Sequence, residues 1–344
     1  MGPDPAVAAV RLAVRRALAD FPPDRPALVA CSGGADSVAL AAALAFEARR
    51  AGRPAGLITV DHNLQPGSDR QAARVLALGR ELGLDPVLAE SVQVGSAPAD
   101  SGNGPEGDAR AARYRALARF VPANLILLGH TADDQAETVL LGLGRGSGPR
   151  SIAGMRPVTG GYLRPLLGLR RHQTEAACAA LQLPWWQDPH NADPRYRRVR
   201  LRHEVLPLLE DVLGGGVAPA LARTADLLRE DLDALDALAA DRLAALASGA
   251  DLDAGPLAPL PGAVRRRVLR GWLRQRGVRD LQAVHLTAVD ALVSRWRGQG
   301  PVQLPGATDV VRASGRLVLR RATRAVPAEP PADPRATHAE ESLP

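Results

Sequence analysis

Three short apolar runs, each ending in a polar cluster, constrain the fold of this chain most strongly. Residues 26–31 (PALVAC) lead into Ser32–Ser37, 55–60 (AGLITV) into Asp61-His62, and 123–130 (ANLILLGH) into His130–Glu137. Runs this short, apolar throughout and without alternation, suit strands covered on both faces. Residues 86–91 (PVLAES) read as one more strand, and 94–107, rich in Gly, Ser, Pro and Asp, as a loop. Apolar residues at helical spacing occupy 37–52, 70–83, 108–120 and 132–145. Strand alternating with helix predicts βαβ units and a parallel sheet, an α/β fold. Ligands of such sheets sit beyond the carboxyl ends of the strands. All three polar clusters fall there.

The chain has 344 residues, too many for one ordinary core, and its character changes at about residue 215. Residues 216–248 form one long amphipathic pattern, and 262–277 and 281–298 give two more helices. Residues 301–320 alternate around turn glycines, as a small hairpin would. From residue 326 the chain is Pro- and acid-rich and reads as a disordered tail over 326–344. The expected division is an α/β domain over 1–214 and a smaller, mainly helical domain with a hairpin over 215–325.

Net charge is +6, and all 43 residues counted as Lys or Arg are arginine. A chain without lysine has no Walker A lysine, no Schiff base and no lysine-adenylate chemistry. Arginine still binds phosphate, through two parallel hydrogen bonds. Two cysteines, Cys31 and Cys178, are too few for a disulfide framework or a cysteine metal site. No apolar run reaches the length of a membrane span. The amphipathic start, with arginines inside the pattern, reads as the first helix of a cytoplasmic protein. Ala6 stands where a myristoylation signal has Ser or Thr.

Within Ser32-Gly33-Gly34-Ala35-Asp36-Ser37, the two glycines allow a sharp turn with outward amides. Ser32 and Ser37 add hydroxyl donors, and the positive end of the next helix faces the same space. The natural guest is an anion such as pyrophosphate. Next, Thr131 with Asp134 resembles a capping box, so a helix starts there. It brings Asp133, Asp134 and Glu137 within about a turn. With His130 beside them, these acids suit either Mg2+ or an amino-acid ammonium. Residues 106–117 place Arg110 and Arg113 at i, i+3 with Tyr114 adjacent. Residues 184–207 crowd Arg195, Arg197, Arg198, Arg200 and Arg202 near Tyr196 and two tryptophans, a pattern suited to unstacked nucleic acid.

The Ser-Gly-Gly-x-Asp-Ser string resembles the signature of the PP-loop (N-type) ATP pyrophosphatases, whose fold is Rossmann-like, of the adenine nucleotide α-hydrolase type. These cleave ATP between its α and β phosphates and need no Walker lysine. CSGGADSVAL, VDHNLQ, EGDARAARYRAL, GHTADDQAETVLLGLGRGSG, RPLL (164–167) and PWWQDPHNADPRYRRVRLR, in this order, resemble the tRNA(Ile)-lysidine synthetase family. The resemblance covers about residues 25–210. Val199 stands where that family usually has Asn, and Gln65 where Arg is common, which puts local tRNA or loop contacts in doubt. No second C-terminal domain follows, as in the shorter form of the family.

The resemblance implies a C–N ligase using ATP and Mg2+, with a CAU-anticodon tRNA(Ile) and free L-lysine as substrates, and is compatible with a homodimer. By analogy, Ser32, Gly33, Gly34, Ala35, Asp36 and Ser37 bind the nucleotide, with Asp61 and His62 near it. Asp36 and Asp134 are the candidate Mg2+ ligands. His130, Asp133, Asp134 and Glu137 form an acidic wall for lysine, and Arg110 and Arg113 meet phosphate or cytidine. Arg195, Tyr196, Arg197, Arg198, Arg200, Arg202 and the helical domain hold tRNA. The alternatives are a PP-loop tRNA 2-thiolation enzyme, which needs a persulfide or iron–sulfur cysteine pair, and a catalytically dead tRNA-binding protein.

Overall fold

The structure is a computed structural model that describes residues 2–61, 67–92, 104–146, 148–188 and 193–321. His62, Gln65, most of the 94–107 loop and the 326–344 tail lie outside the described residues. The chain forms two compact units, Met1–Glu230 and Asp231–Pro344. The division falls inside a continuous helix, α10 (Val217–Leu246), and not at the 214/215 junction the composition suggested.

In the first unit the expected βαβ order holds. Strands β1 (Ala27–Ala30), β2 (Ala55–Asp61), β3 (Val87–Ser91) and β4 (Leu125–Leu128) alternate with α2 (Ala35–Ala51), α3 (Ser68–Glu81) and α4 (Gly104–Ala118). The sheet order is β3-β2-β1-β4-β6-β5, and β1 to β4 and β6 run parallel. The short pair β5 (Val158–Thr159) and β6 (Tyr162–Leu163) closes the edge as an antiparallel turn that the pattern did not predict.

Successive side chains of one strand serve opposite cores, as period two requires. Val29, Leu57, Leu125 and Leu127 pack with α1 (Pro5–Leu18), α2 and α7 (Arg171–Ala180). Leu28, Ile58, Ile126 and Leu128 pack against Leu117 of α4. Burial on both faces is why these strands read as unbroken apolar runs. Neighbours of β1 on its two sides are reached by connections running in opposite directions, so a switch point opens between β1 and β4. Such points are where open α/β sheets bind ligands.

The second unit holds α11 (Gly262–Gln275), α12 (Ala283–Ser294) and a strand β9 (Val302–Leu304) that joins a five-stranded antiparallel sheet, β7-β8-β11-β10-β9. The expected hairpin is its β10 (Thr308–Ala313) and β11 (Arg316–Arg321). The sheet is larger than the sequence suggested because β7 (Ala247–Ser248) and β8 (Asp251–Asp253), too short to show a period and distant in sequence, extend it by pairing β8 with β11. Trp272 is fully buried at the centre of this core, and its indole N–H donates to the Ala250 carbonyl. Among the described residues no single helix is long and apolar enough to cross a membrane.

Candidate active site

The glycine loop leaves β1 and turns into α2 within five residues. Gly33 has φ +86°, a left-handed conformation that favours glycine, and a Cβ there would collide with the Gln71 side chain. Ser37 is buried and organises the loop: it accepts from the Ser32 amide at 3.2 Å, and its hydroxyl donates to the Gly34 carbonyl at 2.9 Å. Its hydroxyl is therefore a brace for the loop more than a free donor. Ala35 and Asp36 begin α2, and the first amides of a helix lack intrahelical acceptors. Trp186 donates its amide to Gly33 O at 2.8 Å, so segment 184–188 backs the loop. Asp61 ends β2 on the same rim.

Strand β4 delivers the second cluster beside the first. A Cβ on Gly129 would stand 3.1 Å from the backbone of Asp36 and Ser37, so this glycine permits the close approach. Helix α5 (Ala132–Arg145) starts where the capping box predicted: the Thr131 amide and hydroxyl donate to Asp134 Oδ2 at 2.8 and 2.9 Å. Its acids then meet arginines from two other elements. Asp133 accepts from Arg170 Nε at 3.0 Å and from the Arg171 amide at 2.8 Å. Asp134 Oδ1 accepts from the Arg171 guanidinium at 2.9 Å, and that same guanidinium donates from Nε to Asp36 Oδ2 at 3.3 Å. The Thr174 hydroxyl donates to Asp36 Oδ1. Glu137 has a fully buried side chain; Arg202 Nε donates to its Oε1 at 2.8 Å and Arg198 lies 3.7 Å from its Oε2.

Burial pushes the Asp36 and Glu137 carboxyls above the ordinary carboxylate range, even with these arginines near. For Asp134 burial acts the same way, but Arg171, His130 and the Thr131 amide outweigh it and hold the carboxyl low.

A third cluster is cationic and has no acid of its own. Arg110 lies 5.1 Å over the Tyr114 ring, and Arg113 6.0 Å from its centre. The Tyr114 hydroxyl accepts from Arg110 at 3.4 Å and from Arg164 at 3.3 Å. Among the described residues no carboxylate stands within ion-pair distance of Arg110, Arg113 or Arg164. The Nε atoms of Arg113 and Arg164 are buried without a hydrogen-bond partner. So is His130 Nδ1. Burial, with Arg113, Arg110 and Arg164 close by, pushes His130 down to about 3, against the pull of Asp134. Its imidazole is neutral at ordinary pH. Three uncompensated guanidiniums around buried, unpaired nitrogens form a site for an anion.

The arginine block divides by face. In α8 (Arg197–Arg200) and the π-helical turn Leu201–Val205, Arg198 and Arg202 lie four residues apart and turn inward to Glu137. Arg195, Arg197 and Arg200 are exposed, Arg195 paired with Asp193 and Arg200 with Glu204. Tyr196 is half-buried at the start of α8, and Val199 is buried. Arg198 and Arg202, expected to hold nucleic acid, turn their guanidiniums toward Glu137 and Asp134.

The candidate Mg2+ ligands do not fit a metal as they stand. All four carboxylate oxygens of Asp36 and Asp134 accept from protein donors, and Arg171 fills the position between them. Among the described residues no three His, Cys, Asp or Glu side chains converge as a metal site. A magnesium ion on ATP takes most of its ligands from phosphate and water in any case.

Both cysteines lie behind the loop. Cys31 Sγ sits 3.5 Å from Ser37 Oγ, and Cys178 Sγ donates to Ala35 O at 3.4 Å. Both are buried, and burial pushes the Cys178 thiol up to about 12. They behave as packing residues.

Sequence reasoning missed Arg164, Arg170, Arg171 and Thr174. A signal existed: Arg170 and Arg171 open α7, and a helix N-terminus disfavours cations unless carboxylates hold them.

Comparison with known proteins shows the family. Residues 9–209 match the family model of a PP-loop domain, and residues 252–318 match that of a TilS substrate binding domain. The chain is 52% identical to a tRNA(Ile)-lysidine synthase of Streptomyces coelicolor, over 93% of this chain and 100% of that one. It is 52% identical to the Thermobifida fusca protein of the same name (92% and 98% covered). With that of Salinispora tropica it shares 53% identity (91% and 96%). A solved structure, the U34-tRNA thiolase NcsA from Methanococcus maripaludis with its [4Fe-4S] cluster, shares the fold. Its TM-score is 0.53 at 17% identity, over 65% of this chain and 80% of that one.

Proposed function

The chain belongs to the tRNA(Ile)-lysidine synthase family, and from that premise we propose how its own residues carry out a two-step ligation. The substrates are ATP, a tRNA(Ile) with a CAU anticodon and free L-lysine, in the cytoplasm. In the first step the carbon-2 oxygen of the wobble cytidine attacks the α-phosphorus of ATP, and pyrophosphate leaves. That oxygen is a poor leaving group, and adenylation converts it into one. In the second step the side-chain amine of lysine attacks carbon 2, the C–O bond breaks, and AMP departs. The new base pairs with A, so the anticodon reads AUA instead of AUG.

The amides opening α2, with Ser32 beside them, hold the phosphates. Arg110, Arg113 and Arg164 neutralise the charge that builds on the departing pyrophosphate. Asp36, Asp134 and Glu137 receive the lysine ammonium. Glu137 takes a proton from it, because an ammonium has no lone pair with which to attack. Neutral His130 offers an uncharged hydrogen-bonding edge to the base. Arg195, Arg197 and Arg200 meet the tRNA backbone. One observation carries this reading: a cluster of guanidiniums without carboxylate partners lies within electrostatic reach of Asp134 and its neighbouring buried carboxylates, beside a lysine-free phosphate loop. One half suits a polyanion and the other an amine.

The test is to incubate the purified chain with ATP, isotopically labelled lysine and a CAU-anticodon tRNA transcript, then digest and weigh the nucleosides. The expected product is cytidine condensed with lysine, with one AMP and one pyrophosphate released per turnover. A sulfur-for-oxygen exchange, or no mass change, defeats the reading.

A further inference from the structure

Arg171 joins two carboxylates that reach it from two different helices. Asp36 lies in the first turn of α2 and Asp134 in the first turn of α5, and one guanidinium bridges them. The same arginine stands at the start of α7, where the helix dipole works against a positive charge. Its position is therefore set by the two acids and not by its own helix.

The charges around it are balanced. Asp36, Asp133, Asp134 and Glu137 face Arg170, Arg171, Arg198 and Arg202 in direct ion pairs. Among the described residues these four acids are matched by these four arginines. An ammonium brought between Asp36 and Asp134 with Arg171 in place would set five cations against four largely buried acids. That arrangement is costly, because buried charge must be matched. In the neighbouring cluster the imbalance is the reverse: among the described residues no carboxylate pairs with Arg110, Arg113 or Arg164.

We propose that Arg171 is the resident counter-ion of the Asp36–Asp134 pair, and that the side-chain ammonium of the amino-acid substrate gains this pair only by displacing its guanidinium. The inference rests on lysine being the co-substrate. Displacement is mechanically simple: Arg171 is a long side chain, 23% exposed, anchored by two hydrogen bonds to acids. Nucleotide phosphates give the released guanidinium a new partner. ATP therefore strengthens lysine binding, although the two carry their opposite charges to different residues. The exchange also selects the substrate, since an amino acid with a neutral side chain cannot replace the lost positive charge. Arg171 is thus a specificity-determining residue, held in place of the substrate's own charge.

The test is equilibrium dialysis of labelled L-lysine against the full chain, with and without a non-hydrolysable ATP analogue. Arg171→Gln removes the competing charge. Without nucleotide it is expected to bind lysine at least about tenfold tighter than the wild type, the scale of one partly buried charge interaction. The analogue should tighten lysine binding in the wild type and leave Arg171→Gln unchanged. In Arg171→Ala, added guanidinium ion should compete with lysine, while the wild type stays insensitive. Norleucine should bind to none of them. Thr174→Val, which disturbs Asp36 without altering charge, should keep the nucleotide effect.

Equal or weaker lysine binding in an Arg171→Gln variant that melts like the wild type overturns the displacement. So does a variant that gains affinity for Mg2+ and none for lysine. If the wild type transfers no lysine to tRNA, the functional reading fails and the proposal with it. If lysine is transferred but Arg171→Gln binds it no better, only the displacement fails.

Discussion

Arg202 Nε donates to Glu137 Oε1 at 2.8 Å, which ties the basic segment after Asp193 to the acidic helix α5 across 65 residues. The bond turns one side of that segment toward the buried carboxylates of α5 and leaves its other side to the solvent. Glu137 Oε2 is buried without a hydrogen-bond partner, 3.7 Å from Arg198, and under the proposed function it is the oxygen that would take the proton.

Glu137→Gln is expected to separate the two half-reactions. Pyrophosphate release in the presence of tRNA should persist, while lysine transfer slows by about 10²- to 10⁴-fold, the usual weight of a general base. Burial raises the Glu137 carboxyl, so its working, ionised form fills only above the ordinary carboxylate range. The wild-type rate of lysine transfer should rise with pH on that limb, and the Gln variant should lose the limb. Parallel assays of pyrophosphate and of nucleoside mass across pH read both effects; an unchanged profile removes Glu137 from the role.

The exposed arginines behave differently. Arg195 and Arg200 hold acids that phosphate can replace, and Arg197 is exposed beside them. Replacing any of the three with Ala should weaken tRNA binding without altering lysine affinity. Each loss should flatten the dependence of log K on log salt by about one unit. Filter binding over a salt series measures it, and an unchanged slope means that arginine touches no phosphate. Arg202→Ala should instead impair lysine transfer, because it leaves Glu137 buried without its main partner.

The central strands β1, β2 and β4 were legible because they are buried on both faces: Leu28 and Val29 serve two different cores and both had to be apolar. The loop and the α5 acids were legible because local rules, a two-glycine turn and a capping box, fix them within six or seven residues. Arg171 was not, since its partners Asp36 and Asp134 lie 135 and 37 residues away and only tertiary packing brings them together. The division of the arginine block was hidden for the same reason. Its spacing shows that Arg198 and Arg202 share a face, but not that Glu137 waits opposite.

Gly129→Ala should act through the loop. The added Cβ would press at 3.1 Å on the backbone of Asp36 and Ser37, atoms that cannot rotate away. Overpacking of this kind costs about 1–3 kcal/mol. The relief available is outward movement of the first turn of α2, which displaces the amides meant for phosphate. ATP affinity should therefore fall more than the melting temperature suggests, and lysine transfer should fall with it. Isothermal titration with an ATP analogue beside a thermal melt separates the two effects; a normal affinity in the folded variant would show that the loop tolerates the shift.

His130 makes the stability of the chain depend on mild acid. Its ordinary value is 6.5, and in the fold burial lowers it to about 3. Below 6.5 the unfolded chain therefore binds a proton that the folded chain refuses. Stability from this residue is fully present above 6.5 and is lost as pH falls toward 3. The slope approaches about 1.4 kcal/mol per pH unit within that window. His130→Asn removes the titration. Urea midpoints at pH 7.5, 6.5, 5.5 and 5 should then converge for wild type and variant, the wild type losing its advantage as acid is added. Asp134, held low, loses its contribution only below the ordinary carboxylate range, outside this interval. A constant gap between the two proteins from pH 7.5 to 5 would mean that the folded chain protonates His130 as readily as the unfolded chain does. His130 would then carry a charge beside Arg110 and Arg113 at pH 5, and the lowering assigned to burial would be wrong.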